Sequence, residues 1–209
     1  MSQVGGTVPM QPGQVAEAAG LLASALHDDP AYAFVFPSSM RAGVLEEFFR
    51  RHLSNHVPHR CSFVHAGTRG QVESTVTLRP PGGVQLSRFT LLRAFVPFAL
   101  GHGTRVLGRM SQLQHQYEAY ERRAVDGKPY WHVHMMGVLP ELQGKGIGGA
   151  LLDDVLATTR GTREPIVLTT HKEINVRFYR RAGFEVAFEE EVPLPASQPY
   201  RVWCMRRDP

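Results

Sequence analysis

Cysteine is scarce: the 209 residues hold two, Cys61 and Cys204. Neither sits at a metal-ligand spacing and the two need not meet, so free, partly buried thiols are expected. Long apolar runs are missing too. No uninterrupted stretch approaches the length that spans a bilayer, and MSQVGGTVPM lacks the basic-then-apolar order of a signal peptide. The expectation is a cytoplasmic protein with no membrane partner. Internal repeats and long low-complexity segments are lacking as well, and only residues 1–6 read as disordered. Nor is charge massed anywhere. The 23 Lys and Arg outnumber 19 Asp and Glu, giving a net charge of +4 and a pI near 9.3, yet they are scattered. That balance suits an anionic ligand and gives no footprint for nucleic acid.

What is present is an ordinary globular composition, 43% hydrophobic and 20% charged, in a chain long enough for one core. A single domain over 1–209 is expected, organised around residues 130–184. Trp131 to Val138 is apolar enough for a buried strand. Gln143, Gly144, Lys145, Gly146, Ile147, Gly148 and Gly149 then turn the chain. From Ile147 the apolar positions Leu151 and Val155 continue at helical spacing. Glycines let a backbone approach a ligand and aim several N–H groups at it. At a helix N-terminus those donors are unpaired and the dipole is positive, so a phosphate or pyrophosphate fits there.

Three nucleotide-type readings compete for the loop. A Walker A loop ends in Lys and Ser or Thr, whereas Gly149 is followed by Ala150 and Leu151, so that reading fails. The dinucleotide fingerprint is literally present at Gly144, Gly146 and Gly149. It requires an acidic residue closing the next strand, and that strand, Pro165 to Thr170, ends in Thr169-Thr170-His171. The third reading fits best. Gln143-x-x-Gly146-x-Gly148 between strand and helix resembles motif A of the GNAT superfamily of acetyl-CoA-dependent N-acetyltransferases. Downstream, Asn175 and Tyr179 four apart, closed by Gly183-Phe184, resemble its second signature. A fainter likeness reaches the puromycin N-acetyltransferase branch through His27-Asp28-Asp29-Pro30, Val138-x-Pro140-x-x-Gln143 and Val202-Trp203-Cys204-Met205.

That resemblance implies an α/β (α+β) fold: a central mixed, largely antiparallel sheet of six to seven strands, splayed at the acetyl-CoA site and flanked by helices. Outside the core, a short strand at Thr7–Met10 and a helix from Gln11 to Leu26 are expected, broken by Asp28-Asp29-Pro30. Ala31 to Pro37 reads as an aromatic connector. Tyr32, Phe34 and Phe36 in it are either substrate contacts or core packed at period two. A second amphipathic helix spans Arg41 to His56. Ser62–His65 and Gln71–Leu78 read as a hairpin. Residues 87–123 form a helical insertion, read as a wall over the acceptor side, with Phe89, Leu92, Phe95 and Val96 as one apolar stripe. Two strands close the chain, and Glu189-Glu190-Glu191 reads as a solvated run rather than an amine attractor.

The resemblance also assigns a site. Acetyl-CoA is the cosubstrate and no metal is required. The loop from Gln143 to Gly149 would hold the pyrophosphate, with added charge from Lys145. The backbone of Met136, Gly137 and Val138 would meet the pantetheine arm, the Val138 N–H serving the oxyanion. Asn175 and Tyr179 share one helix face, and Tyr179, a phenol protonated at neutral pH, is the general acid. Strict alternation places His132, His134 and Met136 on one face and Trp131, Val133 and Met135 on the other. His132 occupies the position of the superfamily's strand glutamate and is assigned the base role, with His134 as the other candidate; a structural role stands open for both. The leading function is N-acetylation of a small-molecule amine by a monomer or homodimer, antibiotic modification included. A protein or peptide N-acetyltransferase and a non-catalytic acyl-CoA sensor are the alternatives.

Overall fold

Residues 6–36, 41–84, 87–192 and 199–209 are described by the structure, a computed structural model. The first five residues expected to be disordered, and Pro37 at the end of the expected connector, lie outside that range. The chain begins with strand β1 (Thr7–Pro9), and a 3₁₀ turn leads into helix α1 (Val15–Ala25). Where a connector was expected, a short helix α2 (Pro30–Val35) stands instead. Its cause is local. Asp29 accepts the Ala31 N–H at 3.0 Å as an N-cap, and Pro30 presets the first helical φ. Period two therefore gives way to helical spacing, and Tyr32 stacks on Phe36 one turn later.

Helix α3 (Arg41–His56) precedes the hairpin β2 (Ser62–Ala66) and β3 (Val72–Arg79). The insertion is helical as expected: α4 (Arg88–His102) and α5 (Thr104–Ala124) part at Gly103, whose φ of 87° suits glycine. Of the α4 stripe, the Phe95 side chain lies outside the described residues and the other three do not face inward. Phe89, Leu92 and Val96 are 74%, 60% and 45% exposed, while Phe98 carries the packing. Then follow β4 (Trp131–Val138), α6 (Ile147–Ala157), β5 (Ile166–Thr170), α7 (Glu173–Arg181), β6 (Glu185–Val192) and β7 (Tyr200–Arg207). Within the closing acidic run Glu189 and Glu191 are exposed, and Glu190 pairs with Arg123.

All seven strands join one sheet in the order β1-β2-β3-β4-β5-β7-β6. Every neighbouring pair is antiparallel except β4 and β5. One core lies between the sheet and α1, α3 and α5; the other lies under α6 and α7. Gly137 lets α1 settle onto β4, since a Cβ there would stand 2.9 Å from Leu22 and 3.0 Å from Leu21. Both cysteines are free and buried. No helix among the described residues is long and apolar enough to cross a membrane.

Candidate active site

The sheet opens at β4. Parallel pairing to β5 is confined to Trp131 with Ile166 and His132 with Val167, so the rest of β4 faces open space on that side. Opposite, the Leu139 N–H reaches the Glu73 carbonyl on β3 at 3.0 Å. Backbone groups alternate along a strand, and Val138 pairs with Ser74 in the next register position. The amides of Val138 and Met136 therefore point away from β3, towards the opening.

A cleft of about 530 Å³ fills that opening. One wall is Met136, Gly137 and Val138. The loop contributes Gln143, Gly144, Gly146, Gly148 and Gly149, and α7 contributes Asn175 and Tyr179. Lys145 and Ile147 are not part of the lining. Gly144 and Gly146 have φ of 78° and 86°, a left-handed pair that only glycine adopts without cost. Helix α6 starts there, and its first internal bond runs from the Ala150 N–H to the Gly146 carbonyl at 3.0 Å. The amides of Gly148 and Gly149 precede it and have no backbone acceptor among the described residues. Lys172 and Arg181 add positive charge to the same cleft. This donor set fits a pyrophosphate.

Tyr179 sits at the junction of strand and helix. Its ring packs against Phe178 and Phe184 at centroid distances of 5.0 and 5.8 Å. No described residue hydrogen-bonds its hydroxyl. Burial, with a smaller contribution from the Asp29 charge, pushes its pKa above that of a free phenol, so the proton is held ready to donate. Asn175 is fixed by its amide nitrogen to the Thr170 hydroxyl at 3.1 Å.

The two strand histidines stand elsewhere. Thr77 pairs with Met135 and Leu78 with Val133, so His134 is the extra residue of a β-bulge. The bulge overturns strict alternation: Met135 joins the core under α1 and α3, while Met136 packs on the α6–α7 side. Neither His132 nor His134 lines the cleft. His134 lies 4.8 Å, centroid to centroid, from His52 of α3, which stacks on His56 at 4.2 Å. The His132 Nε2 faces the Glu121 carboxyl of α5 at 3.1 Å, and Tyr130 donates to the other Glu121 oxygen at 2.9 Å. Burial pushes His132 down to about 3 and Glu121 up to about 7. Between those values the pair holds one titratable proton, on the carboxyl.

Tyr32, Phe34 and Phe36 belong to the first core rather than to the cleft lining. Sequence reasoning missed Asp29, which lines the cleft beside Ala25 and Leu26. Its Oδ2 accepts from His171 Nδ1 at 3.0 Å. His171 Nε2 meets the Tyr117 hydroxyl at 2.7 Å, and Tyr117 meets the Tyr200 hydroxyl at 2.7 Å. A hint lay in the sequence: Asp29 precedes a proline after a helix and His171 ends a strand. Nothing local joins the two. Among the described residues, no group of three or more His, Cys, Asp or Glu is placed to hold a metal ion.

Residues 101–186 match the family model of the Acetyltransferase (GNAT) domain. The fold is shared with solved structures of low sequence identity. Polyamine N-acetyltransferase of Drosophila melanogaster, which forms N-acetylagmatine, is 17% identical over 97% of this chain and 98% of that one, with a TM-score of 0.62. Arylalkylamine N-acetyltransferase 2 of Aedes aegypti is 12% identical over 97% of each chain, with a TM-score of 0.66. A histone acetyltransferase HPA2 and related acetyltransferase of Corynebacterium glutamicum is 16% identical, covering 99% and 97%, with a TM-score of 0.62. A GNAT acetyltransferase domain is thus matched over residues 101–186, and the likeness of the whole chain to these structures is one of fold.

Proposed function

We propose that this chain transfers an acetyl group from acetyl-CoA to the primary amine of a small molecule, by direct attack on the thioester. One observation carries the reading. A cleft walled by unpaired glycine amides ends at Tyr179, a protonated hydroxyl that no described residue engages. Acetyl-CoA supplies an activated acetyl group. The chain's own residues do the rest. The amides of Gly148 and Gly149 hold the pyrophosphate at the positive end of α6, with charge from Lys172 and Arg181. The open-edge amides of Met136 and Val138 bind the pantetheine arm, and the Val138 N–H stabilises negative charge on the carbonyl oxygen. Tyr179 protonates the departing sulfur.

A small acceptor is favoured because α5 packs close to one side of the cleft, its Tyr117 bonding His171, which in turn bonds the lining residue Asp29. Solved relatives of the same fold are named for polyamine, agmatine and arylalkylamine acetylation, which supports the same class. The likeness of His27-Asp28-Asp29-Pro30 to the puromycin branch adds aminonucleosides to the candidates. A panel of arylalkylamines, agmatine, polyamines, puromycin and peptide N-termini tests this, read by thiol release and product mass. At least one small amine should give amine-dependent thiol release together with its acetylated product. Acetylation confined to peptides would move the assignment to the protein-modifying class. Acetyl-CoA binding without turnover of any acceptor would favour the sensor.

A further inference from the structure

We infer that the outward face of α4 docks on an anionic lipid surface, lying in the headgroup layer rather than spanning the bilayer. This goes beyond the acetyl-transfer reading and does not depend on it. Helix α4 is apolar on both sides, and the protein covers it on one. Phe98 faces inward: it is 1% exposed and packs against Phe36 and Phe48 at centroid distances of 6.3 and 6.4 Å. One turn on, His102 Nε2 meets the Glu47 carboxylate of α3 at 2.9 Å. Those contacts fix the rotation of the helix. At about 100° per residue, Phe89, Leu92, Val96 and Leu100 then fall together on the side opposite Phe98.

This stripe runs for about 16 Å along the helix at the usual rise. Leu100 at its end is 84% exposed, more than any of the other three. A helix that is apolar all round is normally covered all round. Large apolar side chains lined up on a surface mark a face that something else covers. None of the four lines the cleft beside Tyr179.

The cover must also accept arginine. Arg93 is exposed within the stripe, one turn from both Phe89 and Val96, and Arg105 is exposed in the first turn of α5 beyond Leu100. In the sequence no Asp or Glu occurs between Glu73 and Glu118, a stretch that carries Arg79, Arg88, Arg93, Arg105 and Arg109. Arg109 is turned to the Phe34 carbonyl at 3.0 Å, so among the described side chains Arg93 and Arg105 are the outward cations of this face.

A second copy docked face to face would set these arginines against one another, with no carboxylate on α4 to receive them. A layer of lipid phosphates receives them without a matching pocket. The arginine stem lies along apolar surface while the guanidinium reaches the headgroups. Phe and Leu enter the acyl boundary, as in helices that lie in the interface. The net charge of +4 draws the whole chain the same way. No helix among the described residues is long and apolar enough to cross a membrane, which does not bear on one lying in its surface.

The test is cosedimentation of the full chain with vesicles of phosphatidylcholine alone and of phosphatidylcholine mixed with phosphatidylglycerol. Wild type should partition onto the mixed vesicles far more than onto the neutral ones, and added salt should release it. Arg93→Gln combined with Arg105→Gln should weaken partitioning by about tenfold or more, at about fivefold per arginine. Phe89→Ser combined with Leu100→Ser should also weaken it by about tenfold or more. All four positions are exposed, so melting temperatures should match wild type, which separates lost docking from lost folding. In Phe89→Trp, the added emission should shift to the blue on mixed vesicles and be quenched by brominated acyl chains. Wild type that stays off the mixed vesicles, or partitioning that both double variants keep, overturns the proposal. Equal binding to neutral and mixed vesicles overturns it too, because the arginines then play no part. A dimer in sedimentation velocity that Phe89→Ser with Leu100→Ser dissolves, with no vesicle binding, would give the face to a second copy instead.

Discussion

Replacing Tyr179 by Phe removes one oxygen from the cleft and leaves a ring that packs as before against Phe178 and Phe184. No described residue bonds to that oxygen, so its removal orphans no donor or acceptor. Stability should therefore change by less than about 1 kcal/mol. Acetyl-CoA should bind equally well, because the pyrophosphate contacts proposed for it lie on the loop and α6. The chemical step should respond differently. Loss of a general acid slows a reaction by about 10²- to 10⁴-fold, or about 3–5 kcal/mol of barrier. Burial keeps the phenol protonated across the working range, so no alkaline limb should come from it in wild type. The assay is a stopped-flow single turnover with acetyl-CoA and with the acetyl ester of a more acidic thiol. An acidic thiolate needs no proton to leave, so Tyr179→Phe should recover most of its rate with that donor. An unchanged single-turnover rate with acetyl-CoA, or an equal defect with both donors, would refute the role of Tyr179.

Gly146→Ala places a side chain at a φ of 86°, costing about 1–2 kcal/mol; acetyl-CoA should then raise the melting temperature much less than in wild type, and an undiminished shift would count against the loop. Glu121 is buried with its carboxyl raised to about 7 from an ordinary 4.5. The unfolded chain thus ionises first, and stability is lost as pH rises between those values. Glu121→Gln abolishes that loss, so relative to wild type it should gain about 3 kcal/mol between pH 4 and pH 8 in denaturant titrations; parallel curves would contradict the buried neutral acid. Burial pushes the thiols of Cys61 and Cys204 up to about 11 and 12. Neither should react with a disulfide reagent before unfolding, and labelling of native protein at neutral pH would show them to be accessible.

The parts of the site that could be read from sequence are those whose geometry is set within a few residues. The glycine loop, the strand before it and the Asn175–Tyr179 face emerged at the expected positions, because turn chemistry and the i, i+4 spacing are local. Alternation failed at His134, where pairing with β3 inserts a bulge that no property of Trp131–Val138 announces. The connector at Ala31 became a helix because Asp29 caps it, a signal present in the sequence but outweighed by its aromatic pattern. Asp29 to His171 spans 142 positions, His171 to Tyr117 spans 54 and Tyr117 to Tyr200 spans 83. Contacts of that range depend on how α2, α5, β5 and β7 pack. His132, singled out by its count from Gln143, turned out to face Glu121 across the core.

The account turns on acetyl passing straight from the thioester to an amine held in this cleft. Mixing enzyme, acetyl-CoA and a turned-over amine at equal concentrations, quenching within one turnover and weighing every species tests it most directly. The acetyl group should appear on the amine with one equivalent of free thiol, and the protein's mass should not change at any time point. A transiently acetylated protein, or thiol released without acetylated amine, would contradict it.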